Sequence, residues 1–476
     1  MQRFLIGILA VGLITAAHAT DGDLRSNPTA KLYGSHPDIR GVRLSPDGSK
    51  LSFLKTHPDG YTIVTVLDLA GPKLTGVINS DKDINDIAWC RWANEERLLC
   101  AYVIQASIQA GNYATLRGGN ARRYATLSRL VGVNADGSKV KNLLEDRLLG
   151  GFSQIQTNVL DWLGDDPNHV LIQIPKDRGT GVSIMDVYTG SYTAKERVRD
   201  GVFAWIADGQ GNPRLYQRGT MNKTMWHLIS PGKMSNEVIR EVEIGDMDNV
   251  FAPLGFGDNK DELLYFDRHE GRMALFGMNL AYENHDTRLI YSHPRVDIAA
   301  LHRLGRYERM VGVVYAEDTI HYDYFDEVVR RIYDTIKASF PNDDVVIIDE
   351  DWNQRYYLVA LTSDTNPGTY YRFDRQENKL SRIGPLYSSL KDKELSRMSI
   401  ISYPARDGTA IPAYLSLPVS GEQTGLPAVI LPHGGPSSRD VWDYNFLVQY
   451  LNARGYAVLQ SNYRGSYGYG KEWLGD

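Results

Sequence analysis

Between residues 37 and about 385 the chain alternates short apolar, β-branched and aromatic runs with turn-forming tetrapeptides, and almost no helical periodicity interrupts them. The turns are SPDG from Ser45, ANEE from Ala93, GDDP from Gly164, ADGQ from Ala207, GDNK from Gly257, GRYE from Gly305 and DWNQ from Asp351. Runs such as GVRL (41–44), VLDWL (159–163), GVFAWIA (201–207) and DVVIID (344–349) lead into turns. Runs such as LSFLK (51–55), RLLCAYV (97–103), HVLIQIP (169–175), ELLYFDR (262–268), RMVGVVY (309–315) and RYYLVALT (355–362) follow them. Successive turns lie 43–50 residues apart, with one step of 71. That period fits propeller blades. A four-stranded blade has two apolar faces and cannot bury both alone. Stacking blades around an axis buries them and leaves only short edges. Seven turns predict seven blades over 37–385.

Two stretches depart from the pattern. The long step contains a Gly- and Ala-rich segment, 105–125, and then a hairpin at 134–137. The segment reads as a long loop between outer strands, solvated for the most part. Its Arg117, Arg122 and Arg123 are candidates for contact with substrate or a second domain. From Tyr324 to Phe340, residues Phe325, Val328, Val329, Ile332, Ile336 and Phe340 recur at helical spacing, and Pro341 follows. This predicts a helix inserted in the sixth blade and packed on its surface.

Near residue 395 the architecture changes. Residues 398–418 read as a hairpin around Arg406-Asp407-Gly408, and LPAVILP (426–432) reads as a strand buried on both faces of a parallel sheet. HGGP follows: His433, Gly434, Gly435 and Pro436. Residues 441–453 form a helical pattern with Phe446, Leu447, Tyr450 and Leu451 on the inward side, stopped by Gly455. YAVLQSNY (456–463) is the next strand. Strand, loop, helix, strand opens a doubly wound α/β sheet. The loop after the first strand therefore lies at the carboxyl end of the sheet, where such folds place ligands. Consecutive glycines there let backbone approach a ligand closely.

The propeller pattern followed by LPHGGPSSRDVW (431–442) and ARGYAVLQSNYRGSYGYG (453–470) resembles the prolyl oligopeptidase family of serine peptidases. It is most similar to the bacterial acylaminoacyl-peptidase and dipeptidyl-peptidase-like branch, as is TSDTNPGTYYRFDR (362–375). The resemblance implies an all-β seven-bladed propeller followed by the N-terminal part of an α/β-hydrolase domain, 395–476. HGGP alone would fit esterases too, whose oxyanion loops are related. It implies that the backbone N–H of Gly434 steadies the oxyanion of an acyl-transfer step. It also implies that Arg439, Arg464, Ser466 and Tyr467 shape the pocket rim, and that His433 positions the loop and is no member of the triad. An Arg439–Asp440 pair is a candidate brace for the loop, and a solvated pair fits equally. No G-x-S-x-G nucleophile turn occurs: GFSQI (151–155) and GVSIM (181–185) lack the second glycine. The family's order places serine, acid and histidine downstream, so the triad is expected after Asp476 and this chain alone is expected to be inactive. The other reading is a non-catalytic periplasmic propeller that binds a partner.

Residues 1–19 read as a secretory signal peptide: Arg3, an apolar run over 4–17, and Ala17-His18-Ala19 before the cut. The run is short of the ~20 residues a spanning helix needs, so stable membrane insertion is not expected. A short segment, 20–36, precedes the first blade, and the destination is the periplasm or the exterior. There an oxidising milieu makes a Cys90–Cys100 disulfide across the hairpin at 93–96 plausible, and two buried thiols fit equally. No matching His or Cys cluster suggests zinc, and no cofactor is expected. A net charge of −6 argues against a nucleic-acid partner. A peptide is the expected partner.

Overall fold

A computed structural model of the chain describes residues 28–475, except 82–84, 109–122, 146–152, 177, 221, 230–236, 422 and 436–437, and the side chains of 106–108 and 123–125. The signal-peptide reading, Pro436, Arg117, Arg122 and the side chain of Arg123 lie outside the described residues. Among the described residues no helix is long and apolar enough to cross a membrane.

Apart from one helix at Glu327–Ser339, residues 39–385 are built of small antiparallel sheets whose strands pair in chain order. The sheets span 39–79, 85–142, 159–200, 202–243, 252–291, 298–324 and 344–385. Each of the seven turns read from the sequence joins the first and second strands of its sheet. Period-two alternation explains the packing. In the third sheet Val170 and Ile172 join a core shared with the second, while Leu171 points the other way into a core shared with the fourth. In the fifth, Leu263 and Tyr265 face the fourth sheet, and Leu264 and Phe266 face the sixth. The last sheet packs on the first: Leu358, Ala360 and Tyr370 share a core with Val42, Leu44, Leu51 and Phe53. Trp352 N–H also donates to Pro46 O at 2.8 Å. Every sheet thus buries both faces against two neighbours.

The segment 105–125 is shorter as a loop than its composition suggests. Its ends continue the strands Arg97–Ile108 and Arg123–Asn134, which pair from Arg97 with Asn134 to Ile108 with Arg123. These are the second and third strands of their sheet, so the loop does not join outer strands. Cys90 and Cys100 are directly opposed across the first two strands of this sheet and are joined as a disulfide.

Helix α1 (Pro28–Tyr33) precedes the first sheet, and helix α2 (Glu327–Ser339) follows the three strands of the sixth. Asp326 caps α2, accepting from Val328 N–H and Val329 N–H at 2.9 Å each. The helix packs by one face: Val329, Ile332 and Ile336 are buried among Leu304, Val345, Ile347, Tyr357 and Val359, while Arg330, Arg331, Asp334 and Thr335 are exposed.

The eighth sheet has strands in the order Met398–Pro404, Ala410–Ser416, Ala457–Ser461, Ala428–Ile430, the last two parallel. Two expectations fail here. Strand Ala428–Ile430 is an edge and is not buried on both faces; Ile430 is 70% exposed. Helix α3 (Phe446–Ala453) buries Val448, Gln449 and Asn452, while Phe446 and Leu447 are exposed. The reason is hydrogen bonding. Gln449 Nε2 donates to Ser396 O at 2.8 Å and Asp364 O at 3.1 Å, and its Oε1 accepts from Ser396 N–H at 2.8 Å. Asn452 Nδ2 donates to Tyr456 O and Ser416 O. A satisfied amide such as that of Gln449 can be buried at little cost, and here it holds α3 to Ser396 of the linker. Helix α1 packs on the same layer: Tyr33 shares a core with Leu390 and Leu395, flanked by Tyr444 and Tyr450.

Candidate active site

The loop 433–435 begins where the parallel strand leaves its sheet. Leu431 N–H donates to Leu459 O at 2.8 Å, and the chain then turns away through Pro432. His433 anchors the loop. Its Nδ1–H donates to Gly434 O at 2.9 Å, because a carbonyl can only accept. In the neutral ring, Nε2 then accepts from the Ser466 hydroxyl at 2.7 Å. The ring stacks on Tyr463, with centroids 4.6 Å apart, and Tyr463 Oη–H donates to His433 O at 3.1 Å. Ser466 is fully buried, and its N–H donates to Tyr463 O. Two motifs thirty residues apart are therefore one unit: the turn after the second strand carries the loop after the first.

Gly434 and Gly435 are exposed. Among the described residues neither amide N–H has a hydrogen-bond partner. A Cβ at Gly434 would meet nothing within 4 Å, and one at Gly435 only Tyr463 Oη at 3.9 Å. Packing within the chain does not demand glycine at Gly434. What glycine supplies is access to the backbone, which suits donors directed at a ligand.

The remaining candidates hold the layers together. Arg439 does not pair with the Asp440 carboxylate. Its Nη1 donates to Ala316 O at 2.9 Å and its Nη2 to Glu317 O at 2.6 Å and Tyr469 Oη at 2.8 Å, with the guanidinium 4.3 Å over the Tyr469 ring. Asp440 Oδ1 accepts from Gln460 Nε2 at 2.9 Å, and burial raises the carboxyl above its usual range against that bond. Arg464 pairs with Asp407 on the hairpin, which ties the 463–466 turn to the sheet's far edge. The Thr409 N–H and the Arg464 guanidinium hold Asp407 down to about 2. Tyr467 N–H donates to Ser438 O at 2.9 Å, and burial raises its phenol.

Asn462 was not singled out from the sequence. It is fully buried, accepts from Asp440 N–H at 2.8 Å, and donates to Asp440 O and Tyr469 Oη. Asp297 was also missed. Its carboxylate accepts from Met273 N–H and Gly470 N–H, joining the fifth and sixth sheets to the 468–470 turn. An asparagine inside the NYRGS motif was a readable signal; one aspartate among many was not. Among the described residues no cluster of His, Cys, Asp or Glu is arranged to hold a metal ion.

Comparison with known proteins gives a match along nearly the whole chain. The chain is 31% identical over 462 residues to dipeptidyl aminopeptidase BIII of Pseudoxanthomonas mexicana, covering 93% of this chain and 61% of that protein. This relative is a peptidase of the prolyl oligopeptidase family, which the chain resembles. The chain spans about 61% of the length of that relative. A shorter match, 45% over 53 residues, is to the acylamino-acid-releasing enzyme of Sus scrofa, covering 11% of this chain and 7% of that protein. Solved family members share the fold. A prolyl endopeptidase aligns with a TM-score of 0.62 at 12% identity, covering 94% of this chain and 64% of its own. A Mycobacterium tuberculosis puromycin-hydrolyzing peptidase aligns at 0.59 and 15%, covering 94% and 68%. No protein-family profile matches the chain.

Proposed function

We propose that this chain is the propeller and oxyanion-loop portion of a serine peptidase that cleaves short peptides through an acyl-enzyme. In this reading the seven sheets of 39–385 are the blades of one closed propeller, supported by the core that the seventh sheet shares with the first. Residues 395–476 open an α/β-hydrolase domain, supported by the parallel pair 428–430 and 457–461 with α3 between them. The observation that carries the reading is the Gly434 and Gly435 amides, without a hydrogen-bond partner among the described residues, on a loop pinned by His433 and Ser466. Such donors stabilise the charge that forms as an acyl carbon turns tetrahedral, and losing one costs about 2.7–4 kcal/mol of barrier. His433 acts by positioning. Its Nδ1–H holds Gly434 O, and its Nε2 meets the hydroxyl of Ser466, which is fully buried and out of reach of a substrate.

The chain has no G-x-S-x-G turn, so attack and proton transfer need a segment it does not contain. Incubation with chromogenic dipeptide and acylaminoacyl substrates is the test. No turnover is expected from this chain. Turnover blocked by a serine-directed phosphonate would overturn the proposal.

We also place the protein in the periplasm or outside the cell. The 1–19 pattern and the Cys90–Cys100 disulfide support this. Mass measurement of exported protein, expected to begin at residue 20, tests it.

A further inference from the structure

The GRYE turn of the sixth sheet does more than reverse the chain. Arg306 is 7% exposed. Its Nη1 donates to Ala93 O, and its Nη2 donates to Leu163 O and Asp166 O at 3.1 Å each. The guanidinium lies 4.5 Å over the Trp352 ring. Tyr307 Oη donates to Asp165 Oδ1 at 3.2 Å, and its ring occupies the space where Gly164 would carry a Cβ. Glu308 Oε1 pairs with Arg91 Nη1 at 2.7 Å, and that guanidinium lies over the Trp162 ring at 4.6 Å.

These partners belong to the second, third and seventh sheets. The sixth sheet shares its cores with the fifth and seventh. In a ring of seven it can touch the second and third only across the axis.

The end of the axis is also defined. Residues 398–475 meet the sheets at Gly271, Ala316, Glu317, Asp318 and Asp364, on connections between second and third strands, and at Asp297, ahead of a first strand. The GRYE turn joins first and second strands, which places it at the opposite end.

We infer that the turn Gly305-Arg306-Tyr307-Glu308 is a fixed plug that closes the propeller axis to peptides on the face away from residues 398–475. The inference rests on the propeller reading above. It leaves the side, where the eighth sheet overlies the fifth to seventh, as the route to the His433–Gly435 loop. An arginine is suited to the task because its planar fork takes several carbonyls at once. Three carbonyls and an aromatic face compensate its buried charge.

Cys90 and Cys100 are joined, so Arg43→Cys introduces a single thiol. Arg43 is on the first strand of the first sheet, and its Nη1 donates to Ile348 O of the seventh at 3.4 Å. Labelling by N-ethylmaleimide and by a maleimide-capped decapeptide is compared in R43C, R43C/R306A and R43C/Y307G. Tyr307 is 55% exposed, so its loss is tolerated even where Arg306→Ala lowers folding. N-ethylmaleimide should label all three. The decapeptide should label R43C slowly and the two double variants about tenfold faster or more. An unchanged decapeptide rate in both double variants overturns the plug. If N-ethylmaleimide labels only unfolded protein in all three, the ring reading falls and the plug falls with it.

Discussion

The Nε2 of His433 accepts a hydrogen bond from Ser466 Oγ at 2.7 Å, joining the loop after one strand to the buried turn after the next. Ser466→Ala removes the donor and leaves an imidazole nitrogen bare. A loss of about 0.5–1.5 kcal/mol is expected for such a bond. The loss should be local: amide exchange at 433–435 should rise about tenfold while the sheets of 39–385 keep their protection. Protection unchanged at 433–435 would show that the loop is held some other way.

Arg439 ties the two layers together. Arg439→Ala strips donors from Ala316 O and Glu317 O and removes the cation from the Tyr469 ring. The cost should be about 1.5–3 kcal/mol, the range for hydrogen bonds to a charged donor. Arg439→Lys should rescue only part of it, because a point charge cannot serve both carbonyls and Tyr469 Oη in one plane. The measurement is limited trypsinolysis. Lys391 and Lys393 lie in the exposed stretch between buried Leu390 and Leu395, and cleavage there should accelerate in R439A and leave a resistant core from 39–385. Equal rates for wild type and variant would contradict this.

His302 makes stability depend on pH. Its Nε2–H donates to Ile347 O at 2.8 Å, and its buried Nδ1 has no partner among the described residues. Protonating Nδ1 would bury a charge with no acceptor, so burial pushes the imidazole down to about 4, opposed by the carbonyl. The unfolded chain titrates near 6.5. Between those values the unfolded state binds more protons, so stability is full above about pH 6.5 and falls as pH drops toward 4. The loss should be about 1–3 kcal/mol. Melting at pH 7 and pH 4.5 reads it, and His302→Gln should flatten the difference. An equal slope in the variant would assign the effect elsewhere.

Strand Ala428–Ile430 is an edge of its sheet, with Ile430 exposed. An apolar edge is a template for strand addition. Ile430→Lys should change folding stability by less than about 0.5 kcal/mol, since the side chain is already in water. It should also suppress concentration-dependent light scattering. Scattering that persists unchanged would place the self-association on another surface.

Much of the fold could be read in advance because its rule is local. Turns such as SPDG and GDNK announce themselves by composition, and the alternation in HVLIQIP or RYYLVALT dictates which side chains face which neighbour. The site was legible as motifs but not as contacts. HGG and NYRGS were both visible, yet their junction through His433 and Ser466 depends on two strands lying parallel. The inward side of α3 was misread because hydrophobicity was the only guide. Gln449 and Asn452 are buried there, their NH2 groups donating to carbonyls of Asp364, Ser396 and Ser416.

Sequence alone determined the repeat, the strands and the glycines of the loop, since period-two patterning and turn chemistry act between residues close in the chain. Tertiary structure decided what meets what. Arg306 gave no sign in its own neighbourhood of reaching Ala93, 213 residues away, or Leu163, 143 away. Arg439 likewise gave none of holding Ala316. Such partners are chosen by the closing of the sheets upon one another, which brings carbonyls of distant turns within hydrogen-bond range of a single guanidinium.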